Sequence, residues 1–125
     1  MRGYGAYKNT QRASATQNGR DLEYRLLAQV TGGLMKARDG KATLQEKLNW
    51  ILQNEKVWSV FLSEVNDNAN ALPRELRAGI ASLALWVMKE TKYVLSDDTA
   101  PLDDLIGINR QIMAGLKPEP HAMAG

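Results

Sequence analysis

The stretch from Asn70 to Leu95, NALPRELRAGIASLALWVMKETKYVL, constrains the fold more than any other part of this chain. Asn68 and Asn70 can cap free amides, Pro73 has its φ preset for a first helical turn, and Glu75 suits the positive end of the helix dipole. Leu76, Ile80, Leu83, Val87 and Val94 then recur at helical spacing and form one apolar stripe. On a helical wheel Leu85 lies opposite that stripe, with Trp86 on one flank and Met88 on the other. No charge falls between Gly79 and Met88. A helix that is apolar all round is either the central strut of a domain or half strut, half docking surface. At 1.5 Å per residue, about 22 residues reach ~33 Å, the width of a small domain. Charges at both ends are too frequent for a bilayer span. The expectation is a central helix over 73–95, with Leu76, Ile80, Leu83 and Val87 facing Leu26, Ile51 and Ile112 from other helices.

Three more amphipathic segments surround it. Leu22, Leu26, Val30 and Leu34 share a stripe, with Leu27 and Met35 beside it, and predict a helix over 20–38 closed by Gly40. Gly32-Gly33 inside that pattern signals close helix packing or a kink, since each glycine costs about 1 kcal/mol relative to alanine. Thr43-Leu44-Gln45-Glu46 matches a capping box and opens a helix over 43–64. Leu44, Leu48, Ile51 with Leu52, Glu55, Trp58 and Leu62 track its apolar face, broken only by Glu55 and broadened by Trp50, Val57 and Phe61. The last helix, over 101–115, carries Leu102, Leu105, Ile106, Asn109, Ile112 and Met113 after an acidic first turn. These segments predict an all-α fold, a small bundle of four main helices, with room for a short extra helix near the N-terminus.

A chain of 125 residues suits one domain with a core of its own. The division expected is a basic N-terminal arm over 1–19, a helical bundle over 20–116 and a flexible tail over 117–125, where Pro118 and Pro120 stop the helix. The arm holds Arg2, Lys8, Arg12 and Arg20 with no acid before Asp21, and Tyr4 and Tyr7 stand among them. It reads either as a basic stacking segment that touches RNA or a partner, or as an extension with Tyr7 laid on the body. Four cations are few for a nucleic-acid footprint, so nucleic acid is not the expected partner. Cysteine is absent, which removes disulfides and thiol chemistry and suits a reducing cytoplasm. The single histidine, His121, lies in the expected tail, so no histidine-based catalysis or metal cluster is expected. The pairs Asp97/Asp98 and Asp103/Asp104 fit turn and dipole duty better than a metal site. No enzymatic activity, cofactor, metal or membrane insertion is expected.

The segment from Asn66 to Met88, NDNANALPRELRAGIASLALWVM, resembles the signature of the FlaF family of flagellar biosynthesis regulators: an N/D-rich turn, an L-P-x-x-L-R-A run, then S-L-x-L-W-V. LNWILQNEKVWSVFLSEV is similar to the family's preceding helix, with Trp50 and Trp58 in the places of its tryptophans. AYKNTQRA and RDLEYRLLAQVTGGL resemble the N-terminal part of one branch of the family. The resemblance covers almost the whole chain up to Leu116. It implies a small cytoplasmic protein of alphaproteobacteria, without enzymatic activity or cofactor, that binds flagellin as an export chaperone and acts beside the regulator FlbT. An RNA-associated regulator of flagellin translation is the alternative it leaves open. No binding residue is carried over from the family. The sequence itself offers Tyr4, Tyr7, Trp58, Leu85, Trp86 and Met88 as candidate partner-binding side chains, the last three because they lie off the main stripe.

Overall fold

The computed structural model describes the backbone of residues 5–67 and 71–116, and the side chains of 21–67 and 71–115. Four helices follow one another: α1 (Gly5–Arg38), α2 (Leu44–Val65), α3 (Arg74–Ser96) and α4 (Asp103–Leu116). The arm and tail expected at 1–19 and 117–125 lie outside the described side chains, as do Tyr4, Tyr7, Asn68 and Asn70.

Local chemistry sets the helix ends. α1 closes on Gly40, at φ 75°, where Gly40 N–H donates to Ala37 O and Lys41 N–H to Lys36 O. That pair of bonds satisfies the last carbonyls and needs the left-handed backbone glycine adopts freely. α2 opens with the capping box: Glu46 N–H donates to Thr43 Oγ1 at 3.0 Å, and Thr43 N–H to Glu46 Oε1 at 2.9 Å. At the other end of α2, the Arg77 side chain donates from Nε to Val65 O (3.0 Å) and from Nη2 to Asp67 O (3.4 Å). A cation from α3 thereby stops the negative end of α2 and fixes the α2–α3 hairpin. α3 itself begins at Pro73 with no side-chain cap.

The close helix pairs are α2–α3, α1–α2 and α1–α4. This corrects the expected place of the third helix: α1 and α2 each have two close neighbours, whereas α3 lies mainly against α2. The core joins Leu27, Val30 and Leu34 of α1 to Ile51, Trp58 and Phe61 of α2, Ala84, Val87 and Val94 of α3, and Leu105 and Ile106 of α4. Trp58 and Phe61 meet edge to face, 5.3 Å between centroids. Gly33 gives α1 its approach to α2, because a Cβ there would collide with the Trp50 ring, while Gly32 faces open space. The glycine pair is thus one contact glycine and one free one.

Two of the residues expected to face one another in the core are not core, and Leu22, Leu44 and Leu52 of the expected apolar stripes are exposed as well. Leu76 is 48% exposed and Leu26 is 38% exposed. Ile80, Leu83 and Ile112 are only partly buried. The inner face of α3 keeps Val87 and Val94 of its expected stripe and adds Ala84 and Thr91. Its centre is turned by roughly 30° from the apolar stripe at 100° per residue. Small and β-branched residues let α3 lie close on α2, and that outweighs the larger hydrophobics nearby.

Candidate functional site

Among the described residues each helix places one polar residue in the interior: Thr31, Asn54, Thr91 and Asn109. Three of them meet. Asn109 Oδ1 accepts from the Trp58 indole Nε1 at 2.8 Å, while Asn109 Nδ2 donates to Asn54 Oδ1 at 2.7 Å and Thr31 Oγ1 at 3.0 Å. Thr31 Oγ1 donates onward to Met113 Sδ at 3.8 Å. The Asn109 side chain thus uses its oxygen and both amide hydrogens on two other helices. Asn54 Nδ2 has no acceptor among the described atoms. Thr91 serves its own helix, bonding Val87 O at 2.7 Å. This cluster fixes helix register and holds no nucleophile or ionisable group. Asn54 escaped sequence reading, although its place between Ile51 and Trp58 at helical spacing was the available signal.

The surface of α3 is where the predicted partner residues separate. Trp58 is 0% exposed and is held inside by Asn109, so it cannot touch a partner without opening the core. Leu85 is 59% exposed on the outward side, and Trp86 is 36% exposed on one flank. Met88 is half-buried against the core on the other flank. Tyr93, which sequence reading did not single out, is 49% exposed two turns beyond Trp86 and shares its flank. The two flanks differ electrically. Glu90 stands one turn after Trp86, and its carboxyl is pushed up, first by burial and then by Asp104 of α4. The opposite flank carries Arg77, Met88 and Leu95.

Among the described residues no group of three or more His, Cys, Asp or Glu could hold a metal ion. No described helix is long and apolar enough to cross a membrane. What the outside of α3 can do is non-covalent: it presents large apolar side chains beside charges, on a helix supported from one side.

A family model described as flagellar protein FlaF matches residues 4–116. The chain belongs to the FlaF family. The match takes in all four helices, so the exposed face of α3 sits within the FlaF region. No curated protein and no solved structure matches the chain.

Proposed function

We propose that this FlaF-family chain binds flagellin in the cytoplasm as an export chaperone, with the outer surface of α3 as its docking face. The observation carrying this reading is the size inversion on α3: Ala84, Val87, Thr91 and Val94 are inside, while Leu85, Trp86 and Tyr93 are outside. Large apolar groups left on a supported helix suit a client that supplies an amphipathic helix of its own. The client gains apolar burial at about 25 cal/mol per Å², set against the cost of ordering it. FlbT is the second partner this reading admits.

Substituting Trp86→Gln tests the assignment. We expect a change in unfolding free energy within about 1 kcal/mol, because the indole is partly solvated already, and a loss of at least ~2 kcal/mol in flagellin binding. Calorimetric titration with flagellin from the same organism reads the binding, and urea unfolding reads the fold. Full affinity in a folded Trp86→Gln variant would remove this residue from the docking face.

A further inference from the structure

Beyond the aromatic flank, α2 and α3 share an outer side with its own chemistry. The two helices run antiparallel, tied at one end by Arg77 to Val65 O, and at the other by Lys47 Nζ to the Asp98 carbonyl at 3.1 Å. On the outward arc of α3 lie Arg74, Ala78, Leu85, Lys89 and Lys92, with Leu95 beside them on the Met88 flank, all exposed and none acidic. The outward arc of α2 adds exposed Leu52, Lys56 and Val60. Helical geometry puts Leu52 level with Met88 and Lys92 across the seam, since α2 ends where α3 begins. Lys56, Arg74, Lys89 and Lys92 form no ion pair among the described residues. The acids of α3, Glu75 and Glu90, lie toward the Trp86 flank; on α2, Glu55 is half-buried and Glu64, one turn beyond Val60, is exposed.

We propose that this outer side is a docking surface for an acidic amphipathic helix, with the partner's apolar stripe over Leu52, Leu85 and Leu95 and its carboxylates against Lys56, Arg74, Lys89 and Lys92. The proposal rests on the reading above for the identity of flagellin as the client, and adds the charge the client segment must carry. Charge complementarity selects the occupant: unpaired cations flank apolar groups, and the α3 arc carries no exposed acid to neutralise them. A seam between two antiparallel helices accepts a third helix along its length. Phosphate recognition would leave Leu52, Val60, Leu85 and Leu95 without a role, and four cations are a small footprint for it.

The test uses the full chain and two labelled 18-residue synthetic peptides with the same leucine stripe, flanked by glutamate in one and by lysine in the other. In fluorescence anisotropy we expect the glutamate peptide to bind at least about tenfold more tightly at low salt, with the gap closing as salt screens the charges. Lys89→Glu combined with Lys92→Glu should lower affinity for the glutamate peptide about tenfold and favour the lysine peptide, with helical circular dichroism unchanged. Equal binding of both peptides, or no effect of the charge reversal, overturns the proposal. Binding to phosphatidylserine-containing vesicles or to single-stranded RNA that is lost in the reversed variant, without binding of the glutamate peptide, also overturns it. Flagellin run in parallel separates the two readings. If the glutamate peptide binds and flagellin does not, the surface stands and the chaperone reading fails; flagellin binding at full strength to the reversed variant does the opposite.

Discussion

The inner and outer faces of α3 divide their residues against the usual order of size. Inside are Ala84, Val87, Thr91 and Val94, fully or nearly fully buried; outside are Leu76, Leu85, Trp86 and Tyr93. A core normally claims the largest apolar groups because each methylene buried contributes about 0.8 kcal/mol. Here the close fit of α3 on α2 claims the small ones. The difference separates two roles along one helix: one face holds the hairpin together, and the other leaves apolar area exposed, which the proposed function assigns to a partner. Stability should therefore respond to substitutions in the interior, and binding to substitutions on the outer face.

The largest expected effect is at Trp58, the interior tryptophan. Trp58→Ala removes a buried ring and strands Asn109 Oδ1, and should cost about 3–5 kcal/mol in denaturant unfolding. A loss below about 1 kcal/mol would break the division between inner and outer aromatics. A smaller effect is expected at the α1–α2 contact. Gly33→Ala drives a methyl into the Trp50 ring and should cost about 1–3 kcal/mol, whereas Gly32→Ala, facing open space, should be neutral or stabilising by up to ~1 kcal/mol. Equal melting temperatures for the two variants would show that α1 and α2 do not need that approach.

The smallest effect sharpens the border between the two faces. Glu90 has its folded pKa raised by burial and by Asp104, so the folded state holds that proton more tightly than the unfolded one. Its ionisation opposes folding, and stability should fall as pH rises from the unfolded carboxylate range through the raised folded value. Glu90→Gln should remove that part of the pH dependence and raise the melting temperature slightly at neutral pH. Superimposable melting-temperature profiles between pH 3 and 8 would show that Glu90 holds its proton no more tightly in the folded state than in the unfolded one.

Most of the helix boundaries were legible because their causes are local. Thr43 and Glu46 write a cap in four residues, and Gly40 writes a helix end in one. The direction each helix faces was not, because it depends on the neighbour. Hydrophobic weight pointed to Leu76 and passed over Ala84 and Thr91, since no single-helix pattern carries the advantage of close approach. The same limit applies to the site. Leu85 lies outside as its wheel position implied, but the burial of Trp58 depends on Asn109, 51 residues away. The basic seam was illegible for the same reason: Leu52 and Leu85 belong to one surface only once α2 and α3 are antiparallel.

The bonds of Asn109 also bear on the order in which the molecule is made. Of the four helices, α4 is synthesised last, and its asparagine joins partners 78 and 55 residues earlier in the chain. Until it arrives, Asn54 Oδ1 and the Trp58 indole N–H lack their final partners, so α1, α2 and α3 cannot complete the interior on the ribosome. Contacts of such long sequence separation are the slow ones to form. Closure of the interior thus waits on α4, and the Trp58 indole, reporting through its fluorescence, marks the moment it occurs.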